Sequence, residues 1–486
     1  MGAKMRRLLS LRYISTRGAA PTLAFDEVLL AGLARDGGLY VPETWPTFTH
    51  DEIRAMRGLS YADLAIKVMT PFLGGRVTEA EFAPLVRDAY AGFDHAAVTP
   101  LVQLDQSTWV MELFHGPTLA FKDVALQLLG RLFDTVLAKR NERVTIVGAT
   151  SGDTGSAAIE ACRDREAIDI FILHPKGRTS EVQRRQMTTV LSSNVHNIAL
   201  EGSFDDCQDL VKAMFNDTAF RDEQNLSAVN SINWARIMAQ IVYYFAAAVQ
   251  LGSPDRPVSF AVPTGNFGNV YAAYGARAMG LPIERLVVGT NSNDILARFF
   301  ATGTMTTAGV TPTISPSMDI QISSNFERLL FDLYDRDGKA LNECMGRFRA
   351  GGSFAVTPEQ LSRARLLFNG HKVDEDLTSA TMASTRLNAG GLMIDPHTAV
   401  GLAAARAEQP HLDPSVPLVA LACAHPAKFP DAVERATGVR PPLPPRLADL
   451  YEREERVTVL PNDLKAVQDF VRSRARRTAS AALGAA

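Results

Sequence analysis

Cysteine is scarce. The 486 residues hold four, Cys162, Cys207, Cys344 and Cys423, far apart, with no CxxC pair and no histidine at metal-ligand spacing. A chain this long with so few thiols has neither a disulfide framework nor a zinc module, so no metal is expected and a reducing, cytoplasmic compartment fits. An uninterrupted apolar run is also missing: nothing approaches the roughly 20 residues that cross a bilayer, and no membrane partner is expected. Charge of one sign is lacking too. The formal net charge is −3, whereas nucleic-acid binding needs a basic face, so no nucleic-acid partner is expected. Internal repeats and low-complexity segments are absent. The opening MGAKMRRLLSLRYISTRG is basic but has no apolar core and no small-residue cleavage site of a secretion signal; Met5 is a candidate natural start.

What remains is a chain with ample core material, 46% apolar and 21% charged. Single cores rarely grow past about 250–300 residues, so two or three domains are expected. To about residue 95 the pattern is mostly helical. It has a short helix over Ala24–Ala34, a turn at DGGLYVP into an extended segment, and helices near Tyr61–Met69 and Glu79–Tyr90. Beyond Val98 strands and helices alternate. VTIVGAT (Val144–Thr150), IDIFILH and VHNIALEG read as strands, then PVSFAVPTG and RLVVGT; SFDDCQDLVKAMF and SINWARIMAQIVYYFAAAVQ read as helices. Repeated βα units imply an α/β fold with a parallel sheet covered by helices. Residues 302–323, rich in Thr, Ser and Pro, have no period and read as a loop near a site or a connection. PLVALACAHPAKF is a strand feeding a helix, RPPLPP (Arg440–Pro445) a stiff linker, and the Arg- and Ala-rich tail after Arg474 is expected to fray.

Three segments carry chemistry. SGDTGS, Ser151–Ser156, lies between a strand and a helix. Its amides form an anion-binding nest, with Ser151 and Thr154 hydroxyls as further donors; or it is a tight turn in which Asp153 or Thr154 caps the helix. It has neither the lysine of a Walker loop nor the G-x-G-x-x-G of a dinucleotide site. PTGNFGN, Pro263–Asn269, again lies between strand and helix, and Gly265 and Gly268 allow a bulky anion close to the backbone. Two such nests at the carboxyl ends of strands imply a ligand crevice. The third is HGPTLAFKDVALQ, His115–Gln127, where Lys122 sits in an apolar run. Lys122 either snorkels to solvent or is buried, with a lowered pKa suited to Schiff-base chemistry; His115 reads as a structural hydrogen-bonder.

HGPTLAFKD, TSGDTGSA, SINWARI, TGNFGN and AHPAKFPDAVE, with YISTRG and DGGLYVP near the start, together resemble threonine synthases of the longer bacterial and fungal type, from Tyr13 to about Gly438. The resemblance implies a fold-type-II pyridoxal-phosphate enzyme of the tryptophan-synthase-β-like fold, with parallel or mixed sheets flanked by helices. Its implied layout is an N-terminal domain over 1–95, a catalytic region over 96–438 whose two α/β subdomains hold the cofactor, and a linker, helix and tail over 439–486. It implies pyridoxal 5′-phosphate carried by Lys122 as a Schiff base. It places the cofactor phosphate on Gly265, Asn266, Phe267, Gly268 and Asn269, the last where some relatives have Asp. Ser151, Gly152 and Thr154 match the loop for the substrate carboxylate, and Asp153 lies near the cofactor's 3′ oxygen. Cys423 stands where relatives carry Thr or Ser against the pyridine nitrogen; a thiol is a weak donor, which puts that hydrogen bond in doubt.

The implied reaction converts O-phospho-L-homoserine and water to L-threonine and phosphate, with Lys122, once displaced by the substrate amine, as the base at Cα. Arg236 and Asn233 of SINWARI, or Lys176, Arg178, Arg184 and Arg185, are candidates for the substrate phosphate. A phospho-lyase or hydroxy-amino-acid dehydratase on the same fold is the alternative, and a non-catalytic cofactor-binding protein a more distant one. The type implies a monomer or weak homodimer.

Overall fold

A computed structural model describes residues 11–228 and 231–476. It divides into two compact units. The larger comprises, among described residues, 11–29, 33–121 and 231–441; the smaller comprises 30–32, 122–228 and 442–476.

The smaller unit is built on a five-stranded sheet. Its spatial order is Thr458–Pro461, Val195–Glu201, Ile168–Pro175, Val144–Ala149 and Leu226–Ser227, and every pair is parallel. Ile168–Pro175 is buried along its whole length, as the near-continuous apolar run of a centre strand in a parallel sheet requires. The strand Val144–Ala149 has successors on both of its sides, so the winding reverses there. Ligands of open α/β sheets bind beyond the carboxyl ends of strands at such reversals, and SGDTGS follows this strand directly.

The larger unit holds a six-stranded sheet in the order Phe368–Lys372, Ile283–Thr290, Val258–Pro263, Leu418–Ala422, Thr108–Glu112 and Leu101–Gln103; only the last pair is antiparallel. Ala261, Val287, Leu418 and Ala420 from its centre pack on Ala399, Val400, Leu402 and Ala404 of the helix Pro396–Glu408. Here the winding reverses at Val258–Pro263, and the strand runs straight into TGNFGN. Both anion-loop motifs thus sit at the reversal of their own sheet. The expected α/β class, parallel and mixed sheets flanked by helices, is what is found.

In the N-terminal part the expected elements appear as helices Phe25–Ala31, Tyr61–Met69 and Glu79–Ala91 and a strand Tyr40–Pro42, paired antiparallel with Tyr13–Ser15. Two expectations need correcting. The 439–486 segment is more than linker, helix and tail, because Thr458–Pro461 adds an edge strand beside Val195–Glu201. The chain also does not fray directly after Arg474: the Arg476 amide and Nε donate to Asp169 at 2.9 and 2.7 Å. Residues 477–486, and Met5 with the rest of 1–10, lie outside the described residues.

Candidate functional site

In the larger unit the segment before Lys122 is held like a strand. Ala120 bridges Ala424 antiparallel. The Phe121 amide donates to the Cys423 carbonyl at 2.8 Å, and the His425 amide donates to the Leu119 carbonyl at 3.0 Å. Leu119 itself is in the left-handed region, φ +64°, a conformation that costs a bulky residue of order 1–3 kcal/mol and is characteristic of ligand sites. The next residue after Phe121 starts the 19-residue helix Lys122–Arg140. His115, read as structural, pairs through Nε2 with Glu112 Oε2 at 2.7 Å.

In the smaller unit Lys122 is buried, 8% exposed, which resolves the choice between snorkelling and burial. Its Nζ lies 3.4 Å from Asp153 Oδ2, on a carboxylate equally enclosed. The turn that carries Asp153 is not capped by Asp153 or Thr154: the helix Asp153–Cys162 begins at Asp153, and the capping position is Gly152. Thr150 Oγ1 accepts from the amides of Gly152 and Gly155 at 3.0 and 2.9 Å, so part of the nest is tied down by a side chain that sequence reasoning passed over. Ser151 is exposed and Thr154 half-buried, hydroxyls open to a ligand.

The second loop, again in the larger unit, is braced from behind. Ser323 Oγ donates to the Gly265 carbonyl at 2.7 Å, and the Asn325 amide donates to the Asn266 carbonyl at 3.1 Å. Phe267 is left-handed, φ +62°, and its ring packs on Phe300, Phe326 and Phe368; only its backbone is offered to a ligand. Gly268 opens the helix Gly268–Ala278. Asn269 is buried, and its Oδ1 accepts from the hydroxyls of Tyr243 and Tyr244, the latter at 2.8 Å. Its Nδ2 is a buried donor with no partner among the described residues.

The segment 302–323 is the brace. Asp319 Oδ1 accepts from Asn291 Nδ2, Asn293 Nδ2 and Thr313 Oγ1 at 2.8, 3.0 and 2.6 Å. Arg328 continues it: Nε donates to the Tyr40 carbonyl at 3.1 Å, Nη2 to the Ile232 carbonyl at 2.7 Å and Nη1 to Asn325 Oδ1. One guanidinium so joins the N-terminal part, the SINWARI segment and the residue behind the second loop. Neither Ser323, Asn325 nor Arg328 was found from sequence.

The cationic candidates separate cleanly. Arg184 pairs with Glu455, Arg185 with Glu181 at 3.2 Å, and Lys176 with Glu201 at 3.1 Å; Arg178 is exposed. Asn233 caps the helix Trp234–Gln250: its Oδ1 accepts from the Ala235 amide and its Nδ2 donates to the Leu29 carbonyl, so it builds the helix start, with one N–H and one lone pair of the carboxamide beyond these two bonds. Arg236 differs from all of these. It is buried, Nε and Nη1 have no partner among the described residues, and burial pushes its pKa down to about 10. An uncompensated buried guanidinium is costly and is a ready site for an anion. Cys423 is buried; its amide donates to Thr398 Oγ1 at 3.2 Å and its Sγ is 4.0 Å from the Leu421 carbonyl.

Comparison with known proteins agrees along the chain. Family models match at residues 12–90 (threonine synthase N terminus), 93–345 (pyridoxal-phosphate dependent enzyme) and 398–471 (threonine synthase, C-terminal). A Pseudomonas aeruginosa threonine synthase is 59% identical over 462 residues, covering 95% of this chain and 98% of that protein. The crystal structure of threonine synthase with bound pyridoxal phosphate from Brucella melitensis superposes with a TM-score of 0.94 at 56% identity, over 96% of this chain and 100% of that one. The yeast threonine synthase structure gives 0.92 at 40% identity, over 96% and 99%.

Proposed function

The chain belongs to the threonine synthase family of pyridoxal-phosphate enzymes, and on that premise we propose that it converts O-phospho-L-homoserine and water to L-threonine and phosphate. The observation that carries the reading is Lys122, a buried primary amine beside a buried carboxylate, at the end of a strained, strand-like segment. Those residues suit the group: the amine suits an aldehyde, and Asn269 keeps a spare buried donor on the loop assigned to its phosphate.

Lys122 would hold the cofactor through its side-chain amine. When bound, the cofactor supplies an electron sink conjugated to the substrate's Cα. With its amine free, Lys122 would take the Cα proton as a general base and return protons later in the cycle. The backbone of Gly265, Asn266, Phe267, Gly268 and Asn269 would receive the cofactor phosphate at a helix start. Ser151, Gly152 and Thr154 would receive the substrate carboxylate, and Asp153 and Cys423 are assigned, by the family resemblance, to the cofactor's 3′ oxygen and pyridine nitrogen. Arg236 takes the substrate phosphate, supported by its unpartnered donors; Asn233 sets the helix start that presents it. The reading includes a cytoplasmic protein, in keeping with four buried cysteines that form no disulfide, that acts as a monomer or weak homodimer without nucleic acid. No helix among the described residues is long and apolar enough to cross a membrane.

The test is incubation with O-phospho-L-homoserine, following phosphate and amino-acid products together. Equal yields of phosphate and threonine, abolished in Lys122→Ala along with the visible absorption of the bound cofactor, are expected. A keto acid with ammonia in place of threonine overturns the synthase in favour of a lyase. A Lys122→Ala variant that keeps both the visible band and turnover overturns the role of the lysine.

A further inference from the structure

Gln183 lies on the helix Glu181–Thr188, inside a stretch whose charged residues draw the eye away from it. Its side chain is buried, and Nε2 donates to Asp153 Oδ1 at 2.8 Å. The acceptor-only carboxylate selects the NH₂ end of the carboxamide, and Ser180 braces the other end. Ser180 Oγ accepts from the Gln183 amide as the helix cap at 3.3 Å and donates to Gln183 Oε1 at 3.0 Å. A flipped carboxamide would set its oxygen against the Asp153 carboxylate, exchanging that hydrogen bond for repulsion between two acceptors. Gly152 makes the approach possible: a Cβ there would lie 2.4–2.7 Å from Gln183 Cδ, Oε1 and Nε2, and its φ of +150° disfavours any side chain.

We propose that Gln183 is a positioning residue for the cofactor lysine: by holding Asp153 Oδ1 it keeps Oδ2 turned to the Lys122 nitrogen, and so holds a proton on that nitrogen in the resting, cofactor-loaded enzyme. The inference rests on Lys122 being that lysine. Its physical basis is that a carboxylate close to a protonated nitrogen in an enclosed site raises that nitrogen's proton affinity. A carboxylate free to swing away, or one that takes up a proton for want of a donor, does so less. Among the groups set against Asp153 are the Lys122 amine, from the helix Lys122–Arg140, and the uncharged Gln183, from the helix Glu181–Thr188. The arginines beside Gln183 are drawn off: Arg184 to Glu455, and Arg185 to Glu181 and Glu455. His174, in the same unit, is pushed toward its neutral form by burial.

The experiment is a pH titration of the visible band of the cofactor-loaded protein in the wild type, Gln183→Met, Asp153→Asn and the double variant. In Gln183→Met the midpoint is expected to fall by about one unit or more. On the Asp153→Asn background the same substitution is expected to move it by no more than a few tenths, because the effect runs through that carboxylate. An unmoved midpoint in Gln183→Met, or an equal fall with and without the Asp153 carboxylate, overturns the proposal. Ser180→Ala, which keeps Gln183 and removes the brace on its Oε1, is the second variant should Gln183→Met fail to fold, with a smaller fall in the same direction expected and no fall counting against it. A wild type with no lysine-bound band overturns the Lys122 assignment instead, so the two failures are distinct.

Discussion

Arg17 and Glu327, 310 residues apart in the chain, meet as a doubly hydrogen-bonded ion pair: Nε to Oε1 at 3.0 Å and Nη2 to Oε2 at 2.9 Å, both side chains 5% exposed. Thr16 Oγ1 adds a third donor to Oε1 at 2.7 Å. Removing one partner of such a pair strands the other in a dry site, at about 3–5 kcal/mol, whereas exchanging both for apolar residues of similar volume is often nearly neutral. Arg17→Met and Glu327→Gln are each expected to lower stability by about that amount in urea unfolding, and Arg17→Met/Glu327→Leu to recover most of it. Additive losses in the double variant would show that the pair is not the source.

Gly130 sits within the helix Lys122–Arg140, where alanine ordinarily gains about 1 kcal/mol by propensity. Here a Cβ would lie 2.2 Å from the Ala161 carbonyl oxygen, and backbone cannot yield as a side chain can. The clash outweighs the propensity: Gly130→Ala is expected to destabilise by about 1–3 kcal/mol. Gly346, in the helix Gly338–Gly351 with nothing within 4 Å of its added Cβ, is the control, and Gly346→Ala is expected to stabilise by up to about 1 kcal/mol. Urea midpoints moving in the same direction in both would refute the packing argument.

Arg236→Met separates stability from binding. The buried guanidinium, whose Nε and Nη1 have no partner among the described residues, costs the ligand-free fold free energy at any pH below its depressed pKa of about 10, so the variant is expected to be more stable without ligand by about 1–3 kcal/mol and to unfold at a higher temperature. Its KM for O-phospho-L-homoserine is expected to rise at least about 30-fold, a loss of roughly 2 kcal/mol, with the cofactor band unchanged. Unchanged KM, or a lost cofactor band, would each refute the assigned role.

Much of this arrangement could be read from residues, and the exceptions have physical causes. The strands of the smaller unit are continuous apolar, β-branched runs, and those ends fell close to where they are observed. Whether Lys122 was buried could not be read, because an apolar run around a lysine serves snorkelling and burial alike. Segment 302–323 showed no period because it is held by side chains converging on Asp319 instead of by a backbone ladder. Thr458–Pro461 was missed since it is a four-residue, half-exposed edge strand behind a proline linker. Gln183 was hidden among charges. Its one signal was the S-x-x-Q spacing from Ser180, which marks a helix start and says nothing of Asp153.

Acid should weaken the smaller unit through His196. Its ring stacks on Phe171 with centroids 4.5 Å apart, and burial, aided by Arg456, Arg474 and Arg476 against the opposing pull of Asp169, lowers its pKa to about 4. Unfolded, the ring titrates near pH 6.5. Between those values the unfolded chain binds a proton that the native one refuses, so stability present above about pH 6.5 is lost as pH falls toward 4. Discounting for partial exposure, the wild type is expected to lose about 1–2 kcal/mol more than His196→Phe between pH 7 and 4.5. Parallel urea-unfolding curves for the two proteins at both pH values would refute this.

The edge strand Thr458–Pro461 also sets a timetable. It pairs with Val195–Glu201, yet it leaves the ribosome about 230 residues after Ser227, on the order of 10–50 s later at translation rates of ~5–20 residues per second. During that interval the nascent sheet carries an unpaired border of the kind that recruits other chains. A truncation ending before Thr458 makes this immature state permanent, and aggregation during synthesis, more than any loss of chemistry, is its foreseeable fate.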